Sequence, residues 1–205
     1  MIRPSIKLAA AAAAGALALA GCALLSTPDP VQTYRFGGPA AAGAAAEGQA
    51  GLSQVSLRRV QFPEAVEGDK ILGVTGTETA YIAGARWVSP ASDLYLESLE
   101  NAFAAQATRV RLIGPRELIR GERSLDIDMR AFEARYDAPG AVPTVVITAR
   151  ARLLALPDRT VAAERTFTVQ QPAAANRVSA IVEAFDIATR DLNTQIVGWT
   201  DANAG

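Results

Sequence analysis

Few groups in this chain could do chemistry. The sequence contains no histidine, which removes the commonest general base and the commonest metal ligand. Its only thiol is Cys22. No Gly-x-Ser-x-Gly elbow and no phosphate-cradling glycine loop occurs. Asp126 and Asp128 stand two apart on a predicted strand, so their carboxylates share a face. Such a pair can divide acid and base roles, but Ile127 and Met129 supply the buried alternation that makes the pair the wet side of a strand. Arg109, Arg111, Arg116, Arg120 and Arg123 form a basic cluster with Glu117 and Glu122. It suits lipid headgroups, an acidic partner or plain solvent. Tyr81-Ile82-Ala83-Gly84-Ala85-Arg86-Trp87 combines two aromatics with an arginine, the composition of an interface hot spot. Tyr81 and Trp87 could equally close a core beneath the next helix. Tyr81, Arg86 and Trp87 are the partner-binding candidates. No residue stands out as catalytic or metal-ligating, and no cofactor is called for.

The surroundings of Cys22 are more specific. Met1 to Lys7 carries Arg3 and Lys7 and no acid, and Leu8 to Ala20 is an unbroken apolar run. A charged segment followed by a short apolar one is a signal peptide, too short to span a bilayer, which takes roughly 20 apolar residues. It ends in Leu19-Ala20-Gly21-Cys22, which resembles the bacterial lipobox. There the cysteine sulfur takes a diacylglycerol, the chain is cut between Gly21 and Cys22, and the new amino terminus is acylated. A single acyl chain holds a protein only marginally. Three chains hold it effectively permanently. A lipidated Cys22 leaves no thiol for disulfide or redox chemistry, so an exported domain must rely on its core.

Arg3 and Lys7 leave with the signal, so 18 of the 20 basic residues face 21 acidic ones. That balance excludes a general nucleic-acid binder. Ala23 to Ala50 is rich in Ala, Gly and Pro with little to bury, and reads as a flexible tether spanning about 30 Å on average. Tyr34-Arg35-Phe36 interrupts it and could dock as a short edge strand. The expected division is a signal peptide at 1–21, a lipidated terminus and linker at 22–51, and one domain at 52–200.

Within that domain, strands are expected at Val55–Val60, Lys70–Val74 and Thr79–Ala83. A helix follows over Pro90–Ala107, with Ser89 as N-cap and Leu96, Leu99, Ala102, Phe103 and Gln106 on one stripe. Arg109–Ile113 is a short strand. Apolar residues are odd-numbered from Leu125 to Met129 and even-numbered from Phe132 to Tyr136, a phase slip that predicts a β-bulge at Ala131-Phe132. Val145 to Leu153 alternates, Pro157-Asp158-Arg159 turns, and Val161 to Val169 returns with Phe167 and Val169 inward. The clearest periodicity is a terminal helix over Ala173–Trp199, with Val178, Ile181, Val182, Phe185, Ala188, Leu192, Ile196 and Trp199 on its apolar stripe. The fold class is α+β, an antiparallel sheet with two main helices on one face.

From Val55 to Trp199 the sequence resembles the ABC-type transport auxiliary lipoproteins. This family includes the lipoprotein component of the paraquat-inducible lipid transport system. The residues carrying the resemblance are Tyr81 to Pro90, Leu125 to Glu133, Ala151-Arg152-Leu153, Arg165-Thr166-Phe167 and the terminal helix ending in Trp199. The resemblance implies a non-enzymatic component acting with a permease, an ATPase and an MCE-type substrate-binding protein to move lipids between the two envelope membranes. A homo-oligomer is compatible with it. Ala23 rather than Asp follows Cys22, which in lipoproteins generally directs the chain to the outer membrane rather than the inner. The alternative is a structural or assembly lipoprotein of another envelope machine, for secretion or surface-polymer export.

Overall fold

The computed structural model describes residues 31–38 and 51–204. The signal peptide, Gly21, Cys22 and the linker stretch 39–50 lie outside the described residues. One compact unit begins at Gln32. The fold thus takes in Gln32 to Phe36, ahead of residue 52, and Tyr34-Arg35-Phe36 docks against the sheet as the sequence allowed.

Eight strands form one sheet: β1 (Gln32–Tyr34), β2 (Ser53–Gln61), β3 (Lys70–Thr75), β4 (Glu78–Trp87), β5 (Val110–Ile113), β6 (Arg123–Tyr136), β7 (Thr144–Ala155) and β8 (Thr160–Pro172). Among the described residues three helices accompany them: α1 (Glu64–Glu67), α2 (Ala91–Gln106) and α3 (Val178–Asn203). The α+β class is as expected. The three longest strands form the antiparallel meander β6–β7–β8. The rest of the sheet is mixed: β1–β4, β2–β5, β2–β6 and β3–β6 pair in parallel. The long β6 makes this possible. Its first half pairs with β2 from Arg123 to Asp128, and its last residues, Ala134 to Tyr136, pair with β3. Two sub-sheets therefore branch from one edge.

The phase slip in β6 is real. The register with β7 shifts between Met129 and Ala131, so Arg130 is the extra residue. The bulge keeps Leu125, Ile127 and Met129 on the same buried face as Phe132 and Ala134. Val145, Ile147, Ala149, Ala151 and Leu153 of β7 are buried, as are Phe167 and Val169 of β8.

Helix α2 begins at Ala91. Pro90 occupies the N-cap position without a side-chain cap, so Ser89 lies outside it. The first turn is instead satisfied across space: Ala91 N donates to Gly68 O at 2.9 Å, and Ser92 Oγ donates to Glu67 O at 3.3 Å. Its buried stripe is Ala91, Leu94, Tyr95, Ser98, Leu99 and Phe103. That is rotated from the expected one, and Gln106 is exposed. Helix α3 starts later than expected because Ala173 still extends the sheet, its N–H bonding Pro143 O at 2.9 Å. It then buries Ile181, Val182, Phe185, Ala188, Leu192 and Ile196, while Val178 and Trp199 are half-buried.

The end of α3 also pins β5. Asp201 accepts from Thr108 N at 2.7 Å, Thr108 Oγ1 at 2.9 Å, Arg109 N at 3.2 Å and Val110 N at 3.1 Å. A carboxylate in the last turn is disfavoured by the helix dipole, so these bonds must offset that cost. Asp201→Ala should lose about 1.5–3 kcal/mol, the range for hydrogen bonds to a charged group, measured by urea unfolding. A loss below about 0.5 kcal/mol, the usual surface value, would show that the clamp contributes nothing.

Candidate functional site

The Tyr81–Trp87 segment lies on β4, and its geometry separates the three candidates. Between the pairs Leu72↔Tyr81 and Lys70↔Arg86, Ile82 to Ala85 stand opposite Ile71 alone. Gly84, at φ +68°, takes the left-handed turn that this bulge needs. The bulge resets the alternation. Trp87 turns inward and is 2% exposed, while Tyr81 is 45% exposed.

Trp87 belongs to an aromatic core. Its ring stands 4.9 Å from Phe36 and 5.4 Å from Phe185, both edge-on. Phe132 lies 5.2 Å from Phe36 and 4.9 Å from Phe185. A side chain so enclosed presents nothing to a partner, so Trp87 leaves the candidate surface and joins the packing beneath α3.

Tyr81 and Arg86 do face outward. Lys70 Nζ lies 4.7 Å from the centroid of the Tyr81 ring, and the Tyr81 hydroxyl donates to Ala65 O at 3.2 Å. Arg86 pairs with Asp69 at 2.9 Å, both side chains nearly half exposed. Strand β1 covers β4 only from Ala85 to Trp87. Glu78 to Gly84 therefore has no strand partner on that edge among the described residues. An open cleft of about 370 Å³ lies beside it, with Tyr81, Ile82 and Tyr136 on its walls and Gly73 on its floor. Burial raises the pKa of Tyr136. A second cleft of about 300 Å³ is lined by Asp93, Glu97, Glu100 and Arg116. The Glu100 pKa is raised first by burial and further by Glu117 and Glu97, with Arg116 opposing.

Asp126 and Asp128 do not form an acid–base pair. Asp126 is 2% exposed and accepts from Arg58 Nε at 3.0 Å and Nη2 at 2.5 Å. The hydrogen bond and the charge of Asp126 push the Arg58 pKa further up, against desolvation. Asp128 pairs with Arg130 at 2.7 Å. Each carboxylate is thus paired with an arginine of its own, and Arg152 stands 3.8 Å from Asp126 as well.

The basic cluster is distributed along β5, the loop that follows and the start of β6. Arg111 pairs with Glu117 at 2.7 Å, and Arg123 donates to Asn203 O at 3.1 Å. Arg109, Arg116 and Arg120 are exposed. Sequence reasoning missed the two aliphatic residues between Arg116 and Arg120, because an isolated apolar pair has no period to announce it. Among the described residues no group of three or more His, Cys, Asp or Glu could hold a metal ion, and no helix is long and apolar enough to cross a membrane.

Known proteins relate the chain to a family. A family model described as the ABC-type transport auxiliary lipoprotein component matches residues 34–197. A crystal structure of a protein from Xanthomonas campestris is similar at 27% identity and a TM-score of 0.66, over 85% of this chain and 94% of that one. A structure of a hypothetical protein from Chlamydia trachomatis shares the fold at 10% identity and a TM-score of 0.51, over 75% of this chain and 98% of that one. No curated protein matches. The matched span begins within the docked segment that supplies Phe36 and runs into the last turns of α3, so it takes in nearly the whole compact unit; the chain belongs to the ABC-type transport auxiliary lipoprotein family.

Proposed function

We propose that this protein is a lipid-anchored, non-catalytic component of an MCE-type lipid transport system, held at the periplasmic face of the outer membrane through Cys22. The family match over residues 34–197 carries the reading. Leu19-Ala20-Gly21-Cys22 supports the anchor, and Ala23 the choice of membrane. Carboxylates committed to arginines, in a chain without histidine, support a binding role over a catalytic one. Its partners are the MCE-type substrate-binding protein and the permease and ATPase of the same system. Tyr81, Arg86 and the open edge of β4 form the surface offered to them, since an unpaired strand edge beside an aromatic and an arginine suits strand addition.

Because Gln32 is already in the sheet, only nine residues, ten Cα-to-Cα steps, separate it from Cys22. Fully extended, they reach about 35 Å. The tether is then shorter in residues than composition suggests, and even its full extension keeps the domain near its membrane.

Affinity purification from native membranes tests the reading. The protein should carry acyl groups on Cys22 by mass spectrometry and bring down an MCE-type protein with its permease or ATPase. Cys22→Ser should abolish labelling with radioactive palmitate; labelling that persists would remove the anchor. Arg86→Ala should melt near wild type, because an exposed ion pair contributes about 0–1 kcal/mol, yet capture less partner. Undiminished capture would remove β4 as the contact. Recovery of secretion or polymer-export proteins instead would favour an assembly lipoprotein.

A further inference from the structure

The loop between β5 and β6 carries two aliphatic side chains that the fold does not use. Leu118 is 101% exposed and Ile119 50% exposed. They stand side by side between Arg116 and Arg120, both exposed. Neither arginine is in a salt bridge among the described residues, although the charge of Glu100 acts on Arg116.

The stems of this loop are fixed. Gly114 N donates to Glu117 Oε1 at 2.9 Å, while Glu117 Oε2 holds Arg111 at 2.7 Å. On the other side, Gly121 N donates to Ser56 Oγ at 2.8 Å, and Glu122 N donates to Gln54 O at 3.1 Å. Gly121 runs so close to β2 that a Cβ there would stand 2.3 Å from Gln54 O. Pinned stems hold the apolar tip out in water, at a cost that the fold does not recover.

We propose that this tip touches a membrane: Leu118 and Ile119 enter the interfacial layer of an anionic phospholipid bilayer, and Arg116 and Arg120 bind lipid phosphates beside them. The chemistry favours lipid over protein. A stable protein interface takes about 800 Å² per partner and is anchored by aromatics or arginines seated in pockets. Two aliphatic side chains on a convex tip supply neither. A bilayer interface requires no matching shape and admits apolar groups to a depth of about 5–10 Å. Arginine suits its edge, because the stem lies along apolar chains while the head stays with the phosphates. Anionic lipid also complements the local excess of arginine over glutamate. Two such residues of each kind give an association constant on the order of 10³–10⁴ M⁻¹, no stronger than one acyl chain. The tip therefore orients a domain that something else tethers. The inference rests on the loop alone and stands whether or not Cys22 is lipidated.

Vesicle sedimentation tests it, using the unacylated chain from Ala23 onward, which retains the whole compact unit. Wild type should sediment with vesicles of equal parts phosphatidylcholine and phosphatidylglycerol, and much less with phosphatidylcholine alone. Leu118→Ser and Ile119→Ser should each weaken binding about tenfold. Arg116→Gln and Arg120→Gln should each weaken it about fivefold, with the effect shrinking at high salt. All four side chains are exposed, so thermal melts should stay at wild type and exclude misfolding as the cause. A wild-type chain that ignores anionic vesicles, or serine variants that bind as well as wild type, would overturn the proposal. Loss of MCE-partner capture in the serine variants, without vesicle binding by wild type, would make the loop a protein contact instead.

Discussion

Phe36→Ala should destabilise the protein by about 3–5 kcal/mol, the range for removing a buried phenylalanine. Phe36 is 2% exposed and packs against both Trp87 and Phe132. It comes from a segment that composition alone marks as linker. Strand β1 makes three register pairs with β4, too few to hold a segment by themselves, so the phenyl ring is what secures it. Two further contacts depend on that docking. Gly37 N donates to Asp186 Oδ1 of α3 at 2.8 Å. Gly37 also passes so close to α2 that a Cβ there would stand 2.6 Å from Ser98 Cβ, at a φ of +85°. Ser98 in turn accepts from Asn193 Nδ2 at 2.9 Å. The segment thus sits where the two main helices meet. Urea unfolding should show the loss, and Trp87 fluorescence should shift to the red as water reaches the vacated site. A variant within about 0.5 kcal/mol of wild type, with unchanged emission, would mean that residues 31–38 are not part of the fold.

Leu192→Ala should cost about 2–5 kcal/mol. Leu192 is fully buried on α3, the helix that packs across β7, β8 and α2. Phe185→Ala, one ring deeper in the same aromatic core, should fall in the same range. Asp191→Ala is the internal control. Its carboxylate faces water and accepts only an exposed bond from Gln195 at 3.2 Å, so its loss should stay within about 0.5 kcal/mol. Equal melting temperatures for Leu192→Ala and Asp191→Ala would show that α3 does not pack by this face. Phe36 and Phe185 share Trp87 and Phe132 as neighbours, so their costs should not add. A double-mutant cycle should give a coupling of about 0.5–3 kcal/mol.

Local periodicity is what the sequence by itself determined. The alternation from Val145 to Leu153, the return strand ending in Phe167 and Val169, and the 3.6-residue stripe of α3 are all legible, because each element has one buried side. Even the bulge in β6 is visible to within two residues, since an extra residue must shift the phase of every side chain after it. Of the carboxylates read as the wet side of a strand, only Asp128 is partly exposed; Asp126 is 2% exposed and enclosed by Arg58, which the alternation did not reveal. Tertiary structure decided the rest. Local period cannot tell which strand lies beside which, so the parallel pairing of β2 and β3 along one edge of β6 had no signature. Tyr81 and Trp87 share odd numbering, and only the bulge opposite Ile71 sends one outward and the other into the core. Tyr34-Arg35-Phe36 could be seen as a segment able to dock, but not where: the partners of Phe36, Trp87 and Phe132, come from two distant strands. Leu118 and Ile119 show the converse. Their type predicts burial, but loop stems pinned to β2 and to Gly114 leave no part of the core within reach.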